Sequence, residues 1–398
     1  MTTARPEEVA AFADSCAIAG IGQTEFAKRG GITDRTEFHL CCEAIRMAAE
    51  DAGLDVHDID GFASYGPERH EPVLLQVALG IPEIRFSNLV WGAGGGGCTG
   101  AVMNAALAVH AGICKHVAVY RSLCQGQYHR YGQYNPGAVG GSYMAPFGLM
   151  SPGQKTALPF RRHMHVYGTP VEALGHVAVT FREHAQTNPA ALMYGKPMTL
   201  EDHANSRMIV DPYRLYDCCL ETDGAAAIIV TSKERARDLR QKPTRILAAV
   251  QASGEGWGMG PMGSNNMPVE TYHTTNAQPV ARHLFPMAGI SPQDLDCAQI
   301  YDAFSSIVIM ALEDYGVCEP GEGADFVMQG NLRRDGGKLP TNTAGGLLSE
   351  GYLQGFNLIP EAVRQMRGTS LNQVADAETC LVTSGGGGGH KSALILAV

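Results

Sequence analysis

Two short segments carry tyrosines at positions where a phenol could do acid–base chemistry. Tyr301-Asp302-Ala303-Phe304 ends an apolar run, and Gly351-Tyr352-Leu353 follows the glycine pair Gly345-Gly346. A phenol donates a hydrogen bond or passes on a proton, although its reference pKa of about 10 means that base action at neutral pH needs local help. Tyr301 and Tyr352 are therefore candidate catalytic groups.

Two glycine-rich segments could hold an anion with backbone groups. Residues 94–97 are glycines that lead into Cys98-Thr99-Gly100, and Thr383-Ser384-Gly385 continues through Gly386 to His390. Glycine lets the backbone approach a ligand closely, and the free N–H groups at a helix start favour developing negative charge. The predicted backbone oxyanion donors are Gly97, Cys98, Gly385 and Gly386.

Each candidate also has an ordinary structural interpretation. A tyrosine that ends a buried strand is usually a packing residue with a satisfied hydroxyl, and Cys98 fits a small buried residue. Asp302 either orients a catalytic partner or is an ordinary strand-end carboxylate. His390 either polarises the site or lies on the surface between glycine and lysine. The residues alone leave these alternatives open.

The elements that must position these residues come from an internal repeat. Residues 52–65 and 288–301 align with each other without a gap. Each segment begins at the end of a helix, with Ala-Gly-Leu or Ala-Gly-Ile, and ends in a short apolar strand whose last residue is tyrosine. The strands and helices around the two copies also match. Paired predictions are strands 16–21 and 245–251, helices 37–51 and 280–287, helices 101–111 and 358–366, and strands 117–120 and 380–383.

The repeat predicts two halves of similar design. Residues 1–240 form the first, with a loop-domain insertion at about 124–216, and residues 241–398 form the second. A charged helical connector is expected at 232–242. Alternating strands and helices with apolar strands indicate mixed or parallel sheets covered by helices, and a long insertion usually shapes a substrate site.

Composition narrows the functional class. The chain has 398 residues, 45% of them hydrophobic, and a formal net charge of -10, with scattered Lys and Arg that do not favour nucleic acid as a partner. No apolar run approaches the roughly 20 residues that span a bilayer, and residues 1–15 lack an apolar signal core. Irregularly spaced cysteines fit a reducing cytosol, and the His163-x-His165 spacing is unsuited to a metal. We expect a cytoplasmic protein with no metal.

The region from 194 to 227 resembles sterol-carrier-type thiolases. The similar stretches are residues 194–202, 205–207, 211–212, 215–219 and 222–227, and the resemblance extends over nearly the whole chain. By this resemblance, the chain is identified as a member of the thiolase superfamily. That implies an α/β thiolase fold, in which two βαβ-rich pseudo-repeated halves form a layered αβαβα core with an inserted loop domain.

The catalytic motifs of that superfamily are altered in this sequence. Glycine stands at the nucleophile position, Gly97, and Cys98 lies one residue later. Tyr301 replaces the asparagine of Asn-Glu-Ala-Phe, Tyr352 replaces the histidine of Gly-His-Pro, and residues 383–385 replace Cys-x-Gly. Thiolase chemistry needs a thiolate, a histidine and a second acid–base cysteine, and none stands in its place.

The altered pattern resembles the thiolase-like aldolases that remove the side chain of cholesterol and bile acids in actinobacteria. This resemblance implies cleavage of a β-hydroxyacyl-CoA to a ketone and a shortened acyl-CoA such as propionyl-CoA, with Tyr301 and Tyr352 as catalytic residues. No cofactor is implied, because the CoA thioester is the substrate. The implied partners are a second copy of the chain and a small OB-fold protein, or the OB-fold domain of a hydratase.

Two other functions stay open at this point. Cys98 could be recruited for thiolase or acyltransferase chemistry by a local shift, or the chain could be a non-catalytic acyl-CoA-binding subunit that has lost the thiolase residues. A Schiff-base aldolase is disfavoured, because no lysine stands in any of these motifs.

Overall fold

The computed structural model describes residues 12–90, 94–128, 145–256, 268–385 and 389–398. The strands are β1 Cys16–Gln23, β2 Ala27–Lys28, β3 Gly61–Tyr65, β4 Phe86–Val90, β5 Val117–Cys124, β6 Met208–Val210, β7 Tyr213–Arg214, β8 Thr222–Ser232, β9 Thr244–Ala252, β10 Cys297–Gln299, β11 Thr379–Thr383 and β12 Lys391–Ala397. The helices are α1 Glu37–Ala52, α2 Pro72–Leu79, α3 Cys98–His110, α4 Pro152–Tyr167, α5 Glu172–Ala185, α6 Leu200–Asn205, α7 Lys233–Ala236, α8 Gln278–Ala288, α9 Ser305–Asp314, α10 Gly323–Met328, α11 Gly346–Ser349 and α12 Leu358–Arg367.

The predicted repeat is visible in the strand pairing. In the first half β4 and β5 flank β3 in parallel, and β8 and β1 follow in antiparallel order. In the second half β11 pairs with β10 in parallel, and β12 and β9 follow in antiparallel order. A parallel bridge from Ala298 to Thr341 takes the place of β4. The two halves thus share one topology, as the repeated unit predicted.

The two halves form one sheet path through a short pairing of β1 with β9. Ala17 pairs with Arg245 and Ile18 with Thr244. Helix α1 packs so closely on β1 that a Cβ on Gly20 would lie 2.1 Å from the carbonyl oxygen of Ala48. Because real Cβ atoms do not approach an oxygen so closely, glycine is required for this helix–strand contact.

Helix α3 lies between the strands of the two halves. It packs against β3 and β8 of the first half and against β9 and β12 of the second. Most of its residues are buried, and it begins directly after the glycine turn Gly94–Gly97. Helix α1 covers β1, β5 and β8, and helix α8 covers β9 and β12. This arrangement gives the predicted layers, with α3 at the centre.

The inserted segment between β5 and β8 contains α4 to α6 and the two-stranded sheet β6–β7. It is fixed to the second half by polar contacts. Asp217 accepts a hydrogen bond from Ser305 Oγ at 2.6 Å and also bonds His203 Nε2 at 2.8 Å, and the Cys219 N–H donates to Ala303 O at 2.9 Å. The insertion therefore sits directly on the Tyr301–Phe304 motif.

Most predicted elements have the expected type, with ends that differ by a few residues. The clearest difference is at the connector, where helix α7 covers only Lys233–Ala236 instead of 232–242. All eleven cysteines, each of them within the described residues, are free thiols. In the described part of the chain, no helix combines the length and the apolar character that crossing a membrane would demand.

Candidate active site

Tyr301 and Tyr352 meet at one corner of the molecule. Tyr301 follows β10 and Tyr352 follows α11, and their hydroxyl oxygens are 3.4 Å apart. Both side chains are buried. This separation is long for a hydrogen bond between hydroxyls, but such bonds commonly tighten only when substrate is present. The structure thus brings together the two tyrosines selected from the sequence.

The Tyr301 ring is enclosed by glycine backbone. A Cβ on Gly95 would lie 2.6 Å from the Tyr301 hydroxyl oxygen, and a Cβ on Gly355 would lie 2.7 Å from Cδ2 of the same ring. Neither position leaves space for a side chain. Glycines from both halves therefore allow the backbone to stand directly beside the phenol.

The carbonyl oxygen of Gly96 ties the two glycine-rich segments together. It accepts hydrogen bonds from Ser384 Oγ at 2.8 Å and from Ser392 Oγ at 2.7 Å. Ser392 Oγ in turn accepts the Gly100 N–H at 2.9 Å. A Cβ on Gly385 would lie 2.7 Å from Gly96 Cα. The predicted walls around the site are thus in direct contact.

Among the four predicted backbone donors, three lie in this region. Gly97 is the residue before α3 and Cys98 is its first residue, while Gly385 belongs to the adjacent turn after β11. Gly386 lies outside the described residues. The structure therefore groups Gly97, Cys98 and Gly385 around the tyrosine pair, and their role as oxyanion donors stays a prediction.

The loop that carries Tyr352 is held by the first half of the chain. Tyr65 Oη donates to Leu353 O at 3.0 Å, and the Tyr352 N–H donates to Thr222 Oγ1 at 2.9 Å. The Arg121 guanidinium hydrogen bonds the side-chain oxygen of Gln354, whose φ is +50°. A left-handed φ is unfavourable for a residue with a side chain, so these contacts keep the loop in shape.

Arg121 is a buried cation at the back of this corner. Its Nη1 is 3.2 Å from Glu68 Oε2, and its guanidinium lies 5.1 Å from the centre of the Tyr65 ring. A buried charge needs such partners, since an uncompensated one is strongly destabilising. Arg121 therefore fixes Tyr65 and Gln354 at once.

Asp302 supports the corner through its contacts with helix α11. Its carboxylate accepts the N–H groups of Leu347 at 2.9 Å and Leu348 at 3.2 Å. Burial raises the pKa of Asp302 to about 7, and these backbone hydrogen bonds oppose that rise. Asp302 thus anchors α11, the helix that leads to Tyr352.

Glu350 is a second buried carboxyl near Tyr352. One oxygen accepts the Asn357 Nδ2–H at 2.9 Å, and no hydrogen-bond partner for the other is found among the described residues. Burial raises the pKa of Glu350 to about 8. Burial therefore favours the protonated form of the Glu350 carboxyl.

Cys98 has the surroundings of a buried structural thiol. Burial raises its pKa, while the positive charge of Arg121 and a hydrogen bond with Tyr65 oppose the rise only in part. A thiol is a strong nucleophile only as the thiolate. These surroundings disfavour the acyltransferase alternative.

The two histidine candidates lie elsewhere. His390 is half-buried, and its Nε2 bonds Gln251 Oε1 at 2.8 Å, which directs the ring toward α3. His163 bonds Glu313 Oε2 at 2.9 Å and Thr169 Oγ1 at 2.7 Å. Within the described residues, the one grouping with metal-ligand spacing is Glu37, Glu68 and His70, where the carboxylates already pair with arginines.

Sequence reasoning missed Tyr65, Arg121, Glu350 and Lys391. Tyr65 had a signal, because the repeat places it at the same strand end as Tyr301. Arg121 and Lys391 lie inside apolar strands and are almost fully buried, which is exceptional for charged residues. Nothing in their spacing distinguishes them from residues at the surface.

Comparisons with known proteins show which proteins this chain is similar to. Residues 263–397 match the family model of the thiolase C-terminal domain-like proteins. The chain is 43% identical to a steroid side-chain-cleaving aldolase of Thermomonospora curvata, over 94% of this chain and 95% of that protein. It is 40% identical to the 17-hydroxy-3-oxo-4-pregnene-20-carboxyl-CoA lyase of Mycobacterium tuberculosis, over 93% of this chain and 96% of that protein.

The chain belongs to the thiolase-fold aldolases. A solved structure described as Ltp2-ChsH2(DUF35) aldolase superposes on this aldolase with a TM-score of 0.91 at 41% identity, covering 98% of this chain and 99% of that one. Human mitochondrial 3-ketoacyl-CoA thiolase, at 13% identity and a TM-score of 0.70, shares the fold. The predicted thiolase fold and the predicted class of enzyme, a carbon–carbon lyase for acyl-CoA, are confirmed.

We expect Cys98→Ala to leave the cleavage rate of the aldolase within a few-fold of the wild-type rate. Alanine keeps the backbone N–H and removes a buried thiol that is not ionised. The rate is measured by the release of ketone, with mass spectrometry of the protein to search for an acylated cysteine. An acyl group on Cys98, or loss of turnover in the variant, would restore the acyltransferase alternative.

Glu350→Gln should stabilise the aldolase at alkaline pH and change little at pH 5. A raised carboxyl pKa means that the folded state holds its proton while the unfolded state releases it, so stability falls as pH rises from about 4.5 to about 8. The loss is on the order of a few kcal/mol. Urea unfolding at pH 5 and pH 9 measures the difference.

The matched control is Glu83→Gln, which makes the same change at an exposed position. It should alter stability little at either pH. An equal effect of Glu350→Gln at pH 5 and pH 9 would contradict the assignment of a buried, protonated Glu350.

Proposed function

We propose that this aldolase cleaves a β-hydroxyacyl-CoA whose acyl group is a steroid side chain. The products are a steroid ketone and a short acyl-CoA such as propionyl-CoA. The observation that carries the proposal is the meeting of the Tyr301 and Tyr352 hydroxyls where a thiolase has its amide and imidazole groups. The names of the Thermomonospora curvata and Mycobacterium tuberculosis relatives support the choice of a steroid thioester.

The step moves one proton and breaks one carbon–carbon bond. The β-hydroxyl loses its proton and becomes the ketone oxygen, and the electrons of the Cα–Cβ bond pass to the thioester as an enolate. The α-carbon then takes a proton. A pair of phenols suits this balance, because each one can accept a proton on its oxygen while it gives up its own.

The two tyrosines act as a relay in this proposal. Tyr352 receives the proton of the substrate hydroxyl and passes its own to Tyr301, which protonates the α-carbon. Burial raises the pKa of Tyr301, and the hydrogen bond with Tyr352 opposes that rise only in part. Tyr301 thus enters the reaction as a neutral phenol, which is the form that donates.

The enolate oxygen needs donors that are fixed before the reaction starts. In this proposal the N–H groups of Gly97 and Gly385 serve, because their segments meet beside Tyr301 through the Gly96 carbonyl. Preorganised donors of this kind contribute on the order of a hundredfold or more in rate. No cofactor is required by this scheme, since the thioester itself accepts the electrons.

Tyr301→Phe and Tyr352→Phe should each lower kcat by about 100-fold or more while the CoA thioester still binds. Each change interrupts the relay but keeps the ring that fills the corner. The measurement is release of ketone and short acyl-CoA from a steroid β-hydroxyacyl-CoA, together with equilibrium binding of a non-cleavable analogue.

Tyr315→Phe is the matched control. Tyr315 is also buried, and its hydroxyl has no hydrogen-bond partner among the described residues. This variant should turn over at the wild-type rate. Undiminished cleavage by Tyr301→Phe or Tyr352→Phe would remove the relay, and thioester binding without any cleavage by the wild type would favour a binding subunit.

A second protein is part of this proposal. The description of the similar solved structure names two components, Ltp2 and ChsH2(DUF35). We therefore propose that this aldolase also works with a partner protein, which the family resemblance implies has an OB fold. The cleavage assay is run with and without the corresponding OB-fold protein, and equal rates would show that it is dispensable.

We also propose a homodimer formed through the β4 edge. Strand β4 pairs with β3 on one side, and its middle residues are exposed, including Leu89. In the second half, Thr341 occupies the equivalent edge position and is fully buried. Helix α2, which precedes β4 in the chain, exposes Val73, Leu74 and Val77. An exposed strand edge and an exposed apolar helix in the same segment fit a second copy of the same segment.

Val77→Asp should shift the aldolase from dimer to monomer, since a charge placed at the centre of an apolar interface is strongly disfavoured. Sedimentation velocity measures the change. Leu371→Asp, which alters an exposed leucine after α12 (63% exposed, against 76% for Val77), should leave the dimer intact. A wild-type monomer at micromolar concentration, or a dimer in the Val77→Asp variant, would contradict this interface.

A further inference from the structure

Lys391 is a buried lysine directly behind the glycine walls of the site. It is the first residue of β12 and pairs with Ala252 of β9. Its side chain is almost fully buried. A Cβ on Gly385 would lie 3.3 Å from Lys391 Nζ and 2.7 Å from Gly96 Cα. The ammonium and both glycine segments therefore meet at one point.

That point is connected to the tyrosine pair through consecutive glycines. Gly96 adjoins Gly95, and a Cβ placed on Gly95 would lie 2.6 Å from the Tyr301 hydroxyl oxygen. Ser384 and Ser392, the neighbours of Gly385 and Lys391 in sequence, hold the Gly96 carbonyl. A charge on Lys391 thus acts, through buried residues, on the backbone proposed to face the developing enolate.

We propose that Lys391 is a positioning residue whose positive charge, placed behind the Gly385 turn, strengthens the oxyanion wall during carbon–carbon cleavage. This inference rests on the proposed retro-aldol step at Tyr301 and Tyr352. Lys391 acts through the Gly385 and Gly96 backbone and forms no covalent bond with the substrate. A positive charge at this place lowers the energy of the enolate more than that of the neutral thioester, which is the condition for raising kcat.

The charge of Lys391 is sensitive to its neighbours. Burial lowers its pKa to about 7, the negative charge of Asp314 opposes this, and the positive charge of Lys155 adds to it. Asp314 stands at the end of α9 and Lys155 in the first turns of α4. His390 is the adjacent titratable residue in the chain. Lys391 thus changes its charge in the range of ordinary assay conditions.

The test compares kcat of the wild type with that of Lys391→Met between pH 6 and pH 9, on the steroid β-hydroxyacyl-CoA with the partner protein present. Methionine keeps the length of the side chain and removes the charge. At pH 6 we expect the variant to be about 10- to 100-fold slower. At pH 9 the wild-type lysine has lost its proton, so the two rates should converge. Because both proteins retain Asp302 and Glu350, the effect of the titration of these carboxyls on the rate cancels in the ratio.

A second variant makes the test specific to charge. Lys155→Met removes the positive charge that lowers the pKa of Lys391. When this change is added both to the wild type and to Lys391→Met, the pH at which the ratio of their rates falls should therefore move upward. A purely structural role of either lysine would not move this inflection. Lys115→Met, the same change at an exposed lysine, is the control and should leave the profile unchanged.

Thermal unfolding shows whether the variants fold. A cooperative unfolding transition of Lys391→Met above the assay temperature at pH 6 shows that a lower rate is not caused by unfolding. A ratio near one at every pH, or one that is constant across the range, would overturn the role of Lys391 while the aldolase activity stands. A wild-type protein with no cleavage would overturn the proposed function and this inference with it.

Discussion

The carbonyl oxygen of Gly96 is the point on which the site depends. It belongs to the first half of the chain, and the two hydroxyls that it accepts belong to Ser384 and Ser392 of the second. Each of these hydrogen bonds is buried, so neither group can exchange its partner for water without a substantial cost. The pairing of β1 with β9 brings the halves together, and the hydrogen bonds to Gly96 O fix how they meet at the site.

The same corner concentrates groups that are costly to bury. Arg121 is paired with Glu68, Asp302 accepts two backbone N–H groups, and Glu350 and Lys391 are shifted by burial toward their neutral forms. A core made for stability alone would contain apolar residues here. The arrangement instead resembles the usual organisation of active sites, where perturbed titratable groups are held by a rigid surrounding scaffold.

Much of the fold followed from local patterns in the sequence. The repeat at 52–65 and 288–301, the glycines after α1 and α8, and the apolar strands each depend on neighbours in the chain, and such features are readable without a structure. The short helix α7 was overestimated because charged residues continue past it without an apolar stripe that would stabilise further turns.

The site was predictable where it coincided with altered motifs and not elsewhere. Tyr301, Tyr352 and the glycine segments stand at recognisable positions, whereas Arg121 and Lys391 gain their surroundings only when strands from distant parts of the chain assemble. Asp302 illustrates an intermediate case. Its position beside Tyr301 was evident, but its function as an anchor for α11 depends on residues 45 positions later.

The two tyrosines at equivalent positions of the repeat, Tyr65 and Tyr301, make different contacts. Tyr65 and Tyr301 end corresponding strands, yet Tyr65 donates to the backbone of the Tyr352 loop, whereas Tyr301 presents its hydroxyl to Tyr352. If the corner were built from two identical half-length chains, both strand ends would carry the same tyrosine with the same neighbours in sequence. Two halves within one chain are free of that requirement. Each strand end can then hold a tyrosine with its own contacts, Tyr65 with the Tyr352 loop and Tyr301 with the Tyr352 hydroxyl.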